Sequence, residues 1–259
     1  MRFSVSAFTL LSAGLAMAAP APASAPGGSS IQLDRRADTS NITEISHDAV
    51  IGFSEKVPAM SLGSLYLKYK PYLHRYNGCV PFPAVNAAGE VGGGLSPTGS
   101  PSGLCTQSTG QVYVRGAWYG SQYGIMYSWY MPKDEPSTGF GHRHDWENAI
   151  IWVDSPDVTS PTIVGLSTSA HGGYATIKSD FSSHFNGNSA FIEYISTWPI
   201  NHQLVISTTQ GLMQPLIAYE SLTYQARYTL ENWDFGSANV PFKEANMASN
   251  LEKAWAASS

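Results

Sequence analysis

The chain has 259 residues, of which 14 are Lys or Arg and 19 are Asp or Glu, so its formal net charge at pH 7 is −5. An acidic protein lacks the basic surface that binds nucleic acid, and anionic lipid repels it, so membrane contact would need a specific headgroup or a bridging cation. A chain of this length suits one mainly β or α+β domain with a substantial core.

The N-terminal residues have the features of a secretory leader. Residues 1–18 combine a basic start, an apolar run too short to cross a bilayer and a small-residue cleavage pattern. Residues 19–36 begin as a spacer rich in Pro, Ala, Ser and Gly and end in the dibasic pair Arg35-Arg36, a site for a processing protease. We therefore predict a signal peptide, a pro-segment and a secreted single domain at 37–259.

Two covalent features follow from this extracellular location. Cys79 and Cys105 are the two cysteines of the chain, and we predict a disulfide between them that closes the Gly-, Ser- and Pro-rich segment 87–103. The sequon Asn-Ile-Thr that begins at Asn41 predicts N-glycosylation near the mature N-terminus.

Hydrophobic spacing predicts a β domain with helices around it. Leu62, Leu65 and Tyr69 recur at helical intervals and predict a first helix over 61–69. From Gln111 onward, short runs of aromatic and β-branched residues are separated by Gly, Pro, Asn, Asp or Ser, which is typical of a β-sandwich. The predicted strands are 112–114, 118–119, 125–130, 146–153, 162–167, 190–195 and 203–207, and two further helices are predicted at 221–230 and 245–256.

The run 141–147, Gly-His-Arg-His-Asp-Trp-Glu, places five ionisable side chains within six positions. Such a cluster is costly to fold unless a cation compensates it, and imidazole nitrogens and carboxylate oxygens both bind metal ions. On an extended strand Asp145 and Glu147 share one face about 7 Å apart, which forms half of a cage for Mg²⁺ or Ca²⁺. The preceding turn can bring His142 to this face, and a turn after the previous strand can bring Asp134 over it.

Two other interpretations of this run remain open. Arg143 can pair with Asp145 or Glu147 in a purely structural network, with the histidines solvated. Alternatively, the two carboxylates can serve a secreted hydrolase, since glycosidases hold such a pair about 5 to 9 Å apart. The aromatic side chains Tyr130, Phe140 and Trp146 can reach a membrane interface, where such rings are favourable. Their more common fate is core packing, which we predict for Trp146.

Segment 124–147 closely resembles the signature of the necrosis- and ethylene-inducing-peptide-like proteins (NLPs), secreted toxins of plant-associated microbes, and 141–147 matches the family's hallmark heptapeptide in full. Segments 68–85, 170–174 and 234–242 resemble other family blocks, so the likeness spans nearly all of the predicted mature chain. With one cysteine pair the chain resembles the type 1 branch. The resemblance implies a single-domain β-sandwich flanked by helices, similar to the actinoporin cytolysins.

The resemblance also implies a divalent cation, Mg²⁺ or Ca²⁺, that is held in an acidic cavity directly or through water. By motif position its ligands would be Asp134, His142, Asp145 and Glu147. The same correspondence places His171 in the cavity and Tyr219 and Glu220 at ligand-binding positions. The chain departs from the family here, because Ala218-Tyr219 stands where Met-Trp is common before the acidic residue.

The family's activity implies a secreted, non-enzymatic cytolysin that acts in the host apoplast. It would bind glycosyl inositol phosphorylceramide headgroups of the plant plasma membrane and permeabilise that membrane. Segment 124–147 corresponds to the family's immunogenic peptide, so plant pattern-recognition receptors are expected partners. Some members keep the signature and are not cytotoxic, so a lectin-like protein that acts only as an immune elicitor is an alternative, as is a secreted metal-dependent hydrolase or glycosidase.

Overall fold

The structure is a computed structural model that describes residues 39–157, 160–197 and 201–257. These residues belong to one compact unit. The predicted signal peptide at 1–18 and pro-segment at 19–36 lie outside the described residues, so both stay predictions.

The described residues form twelve strands and three α-helices. The strands are β1 (Glu44–Ile45), β2 (Tyr72–Arg75), β3 (Val91–Gly92), β4 (Val112–Tyr119), β5 (Gln122–Asp134), β6 (His142–Val153), β7 (Ile163–Ala170), β8 (Gly173–Ile177), β9 (Phe185–Asn186), β10 (Ser189–Thr197), β11 (Asn201–Ile206) and β12 (Leu216–Ala218). The helices are α1 (Ser61–Lys68), α2 (Tyr224–Asn232) and α3 (Glu244–Ala256), and 3₁₀ turns cover Thr39–Asn41, Phe181–His184 and Tyr219–Ser221.

Six strands form the main sheet in the order β12-β4-β5-β6-β7-β8. The β12–β4 pair is parallel and the other pairs are antiparallel. At its centre, β5 and β6 are buried along almost their whole length, because both faces of a central strand are covered by other elements. This explains why the sequence of β5 reads as a nearly continuous apolar and aromatic run.

A second sheet, ordered β11-β10-β2 with β9 also paired to β10, packs against the main sheet through β11, which contacts β6 and β7. Helix α3 packs against β4, β7 and β8. The interior is aromatic, and its largest fully buried side chains include Trp129, Trp152, Tyr66 and Tyr127. The predicted mainly β sandwich flanked by helices is thus confirmed.

The helix predictions are close to the structure. The helix predicted at 61–69 is α1, and the one predicted at 245–256 is α3. The helix predicted at 221–230 begins later, because Thr223 is its N-cap residue and its hydroxyl accepts a hydrogen bond of 3.1 Å from the backbone N–H of Ala226. That helix also continues further, to Asn232.

The strand predictions located the sheets but not their full lengths. The two short runs at 112–114 and 118–119 are one strand, β4, and the run at 125–130 continues as β5 through Asp134. The prediction that Asp134 lies in a turn was therefore wrong, because the β5–β6 ladder extends to the pair Asp134–His142. Six strands were missed: β1, β2, β3, β8, β9 and β12. They have only two to five residues each, which is too short for a clear alternating pattern.

The predicted disulfide is confirmed. Cys79 and Cys105 are bonded, with their Cα atoms 5.0 Å apart, and both are buried. The segment that they enclose is also tied to β5, because the Lys133 ammonium donates to the Ser100 carbonyl at 2.8 Å. Asn41 is exposed, which suits glycosylation, and that modification stays a prediction. None of the helices in the described ranges is long and apolar enough to cross a membrane.

Candidate cation and ligand site

The candidate site is built on the β5–β6 hairpin. Gly141 closes this hairpin with a φ of 107°, a backbone conformation that L side chains rarely adopt. A Cβ atom at Gly141 would lie 2.1 Å from the carbonyl oxygen of Asp134. Only glycine therefore allows the two strands to meet closely enough to pair Asp134 with His142.

A second unusual conformation sets the direction of the side chains on β6. His144 has a φ of 61°, which interrupts the regular alternation of the strand. A regular strand would place His142 and Asp145 on opposite faces, whereas here both line the same cleft. His144 itself is buried with its Nδ1 2.6 Å from the Tyr130 hydroxyl, and burial together with neighbouring Arg143 lowers its pKa to about 4. His144 is therefore neutral at pH 7.

Arg143 does not neutralise the carboxylates. Its guanidinium donates to the Gly93 carbonyl at 2.5 Å and to the Ser96 hydroxyl at 2.8 Å, in the segment enclosed by the disulfide. Among the described residues it forms no ion pair with Asp145 or Glu147. The interpretation of the run as a structural ion-pair network is thus wrong.

Asp145 and Glu147 are both buried and hold their protons unusually strongly. Burial and the nearby carboxylate of Asp134 raise the pKa of Asp145 to about 7, although its Oδ2 accepts a hydrogen bond of 2.8 Å from the Tyr194 hydroxyl. Burial and the charge of Asp145 raise the pKa of Glu147 well above its usual value, although it accepts a hydrogen bond from the Ser169 hydroxyl. The fold therefore disfavours the ionised forms of Asp145 and Glu147.

Asp134, which pairs with His142 across the β5–β6 ladder, is the third carboxylate of the cluster. Its side chain is fully buried, and Oδ1 lies 2.5 Å from Nδ1 of His202 on β11. Its Oδ2 lies 3.7 Å from Nε2 of His142 and has no hydrogen-bond partner within the described ranges. A buried carboxylate oxygen without a partner calls for a missing ion or water.

Sequence reasoning missed the part of the site that comes from the second sheet. His202 stacks on Tyr194 with ring centroids 4.7 Å apart, and the two side chains contact Asp134 and Asp145 respectively. The alternation of buried and partly exposed residues along β11 could have identified His202, because His202 and Leu204 occupy the buried positions. The strand predicted at 203–207 began one residue too late to include it.

The open side of the cluster is a cleft of about 400 Å³. It lies where β6, the β7–β8 turn, the loop 237–241 and α3 meet. His171 is exposed in that turn with a φ of 51° and lines the cleft together with His142, Asp145 and Glu147. The structure thus brings these four predicted side chains together, with Asp134 buried beside them.

Two predicted ligand-binding residues, Tyr219 and Glu220, do not line the cleft. The guanidinium carbons of Arg115 and Arg227 lie 4.1 Å and 4.9 Å from the centre of the Tyr219 ring, and its hydroxyl donates to Glu231 at 2.9 Å. Glu220 accepts a hydrogen bond of 3.2 Å from Tyr66. These contacts are structural, and we leave both residues out of the site proposed below.

The three aromatic residues considered for a membrane interface differ in burial, and Tyr130 is fully buried. Trp146 is buried in the core, with ring centroids 5.5 Å from Tyr113 and 5.7 Å from both Phe235 and Phe242. Its predicted core packing is confirmed. Phe140, near the tip of the hairpin, is 60% exposed and is available for contact with a partner surface.

The donor set fits an open cation site better than a closed protein cage. Within the described part of the chain, no three His, Cys, Asp or Glu side chains are arranged to hold a metal ion by themselves. The unpartnered Oδ2 of Asp134 and the buried carboxyl of Asp145 are hard oxygen donors of the kind that Mg²⁺ and Ca²⁺ bind. Mg²⁺ in particular keeps several water ligands, so few protein donors suffice.

The fold and the site define a class: a single β-sandwich flanked by helices, with an acidic cleft at the end of its central hairpin. The family model described as Necrosis inducing protein (NPP1) matches residues 63–254. The chain belongs to this family of necrosis-inducing proteins, the NLPs.

Individual relatives agree with this assignment. NLP effector protein 10 of Phytophthora capsici is 48% identical over 213 residues, which cover 82% of this chain and 91% of that protein. The solved structure of NLPPya in complex with mannosamine has a TM-score of 0.78 at 48% identity and covers 82% of this chain and 99% of its own. A structure described as a toxin fold as basis for microbial attack and plant defense has a TM-score of 0.78 at 47% identity, and the match covers 82% of this chain and 100% of that chain. The predicted family and fold are thus confirmed.

Proposed function

We propose that this protein is a secreted, cation-dependent cytolysin that binds the sugar-phosphate headgroup of glycosyl inositol phosphorylceramide and permeabilises the plant plasma membrane. One observation carries the proposal: three buried carboxylates, Asp134, Asp145 and Glu147, share a site to which Arg143 contributes no charge. A relative named as an effector and a solved relative that holds mannosamine support a secreted protein that binds glycans.

Each side chain has a role in this proposal. Asp134 and Asp145 would hold the cation, and His142 and Glu147 would orient its water ligands or the headgroup. The bound cation supplies positive charge at the cleft, which reverses the repulsion between an acidic protein and a phosphate. His171, exposed at the rim of the cleft, would contact the sugar. No covalent step is required, so we propose binding and membrane damage rather than enzymatic turnover.

We also propose that pattern-recognition receptors of the plant recognise segment 124–147 as a released fragment. In the folded protein most of this segment belongs to β5 and β6, and its side chains are buried almost throughout β5. A receptor could therefore contact only the hairpin tip around Phe140 unless the segment leaves the fold. Receptor recognition would then require the segment to leave the fold, whereas toxicity would require the folded protein.

Leakage from vesicles tests the cytolysin directly. Dye-loaded vesicles that contain the plant sphingolipid should leak when the protein is added with Mg²⁺ or Ca²⁺, and EDTA should reduce the leakage rate at least about tenfold by removing the bridging charge. Vesicles of phosphatidylcholine alone are the matched control and should stay intact.

Each alternative function predicts a different outcome in this assay. Headgroup binding without leakage would favour the lectin-like elicitor. Turnover of a glycoside or ester substrate without leakage would favour the hydrolase. Equal leakage with EDTA and with Mg²⁺ would contradict the role of the cation.

A further inference from the structure

Helix α3 presents a polar stripe to the cleft. Four of its residues, at intervals of three and four, line the cleft: Asn246, Ser249, Asn250 and Lys253. These intervals place all four on one face of the helix. The adjacent face carries the buried residues Met247, Leu251 and Ala254, which fix the rotation of the helix against the protein.

Hydrogen bonds hold most of this stripe in place. The side-chain amide of Asn246 donates to the Val240 carbonyl at 2.9 Å, and that of Asn250 donates to the Pro241 carbonyl at 2.9 Å. Both bonds tie α3 to the loop 237–241, which forms another wall of the cleft. One N–H of each amide is thus used by the loop, and each amide oxygen can accept a hydrogen bond from a ligand hydroxyl group.

Lys253 differs from the rest of the stripe. It is exposed, it forms no ion pair within the described ranges, and it is the only Lys or Arg among the residues that line the cleft. The cleft therefore combines acidic groups on β6 with a cationic group on α3.

We propose that the α3 stripe recognises an anionic substituent, a carboxylate or a phosphate, on the bound glycan. The ammonium of Lys253 contacts the anion, and Asn246 and Asn250 accept hydrogen bonds from neighbouring hydroxyl groups. This inference rests on the proposed function, since it assigns the ligand chemistry of the same cleft. A charged hydrogen bond of this kind contributes more than a neutral one, so it makes Lys253 a specificity-determining residue.

Sugar binding to the secreted protein tests the proposal. The probes are glucose, glucuronic acid and glucose 6-phosphate, measured by ligand-observed NMR or calorimetry at a fixed free Mg²⁺ concentration. We expect one or both anionic sugars to bind about tenfold tighter than glucose. The two anionic probes distinguish a carboxylate from a phosphate as the preferred group. Lys253→Gln should remove this preference and leave glucose affinity within about twofold, because it removes one charge from an exposed position.

Lys56→Gln is the matched control, since Lys56 is an exposed lysine that does not line the cleft and its loss should leave the preference unchanged. The inference is overturned if the parent protein does not prefer the anionic sugars, or if Lys253→Gln keeps the preference, and in both cases the proposed glycan binding stands. If the parent protein binds none of the three sugars, the glycan binding of the proposed function fails together with the inference.

Discussion

Replacing Asp145 with asparagine is expected to abolish cation-dependent leakage and to stabilise the cation-free protein. Asparagine keeps an oxygen that can accept the hydrogen bond of the Tyr194 hydroxyl, but it removes the buried charge that would hold the cation. Because the pKa of Asp145 is raised to about 7 in the folded state, its contribution to stability is present below its ordinary pKa of 3.8 and is lost as the pH rises through 7. At pH 7.5 in EDTA, Asp145→Asn should thus raise the free energy of unfolding by on the order of 2–4 kcal/mol.

Leakage assays and urea unfolding with EDTA or Mg²⁺ measure both effects. Asp180→Asn is a matched control, because Asp180 is exposed and lies outside the cleft, and it should change neither property. Full leakage by Asp145→Asn, or a large loss of its stability in EDTA, would show that the carboxylate serves the fold rather than the cation.

A second large effect is expected at the buried ion pair beside the site. Lys133 and Glu135 are bonded to each other, with 2% and 0% of their side-chain surfaces exposed, and Glu135 also accepts a hydrogen bond of 3.2 Å from the backbone of Gly139. Lys133→Met would leave the Glu135 carboxylate buried without a counterion, which typically costs about 3–5 kcal/mol. Chemical denaturation should detect this loss directly.

The double variant Lys133→Met/Glu135→Gln separates the lost charge from the lost packing. It should recover at least about half of the stability, because no uncompensated charge remains. Lys70→Met, which breaks the partly exposed pair with Glu55, is the surface control and should cost less than about 1 kcal/mol. Equal losses in the single and the double variant would mean that side-chain packing, and not charge, determines the effect.

The sequence predicts those residues of the site that lie close to one another in the chain. His142, Asp145 and Glu147 lie within six residues, so their types and spacing alone indicate a cation site. The left-handed conformation of His144 could not be predicted, because it depends on the burial of its ring against Tyr130. Local spacing therefore selected side chains that the fold brings to one cleft, while the reason that they share it appears only in the fold.

The other portion depends on how two sheets pack. His202 lies 68 residues from Asp134, and Tyr194 lies 49 residues from Asp145, so no local pattern connects them. Tyr219 shows a different limit: the family resemblance places it at a ligand-binding position, whereas in the fold Arg115 and Arg227 pack against its ring away from the cleft. The fold class was easier to predict, since strand-forming runs and turn residues recur along most of the chain.

Calorimetric titration of the secreted protein with Mg²⁺ and with Ca²⁺ tests the central claim most directly. We expect uptake of at least one of these ions at pH 7.5, with release of protons, because the pKa of Asp145 is raised to about 7 and its carboxyl must ionise to bind the cation. The affinity should be about 50- to 100-fold weaker at pH 5, where the proton competes for the same carboxyl. Absence of uptake of either ion at pH 7.5 by the folded protein, with the plant sphingolipid present or absent, would contradict the account.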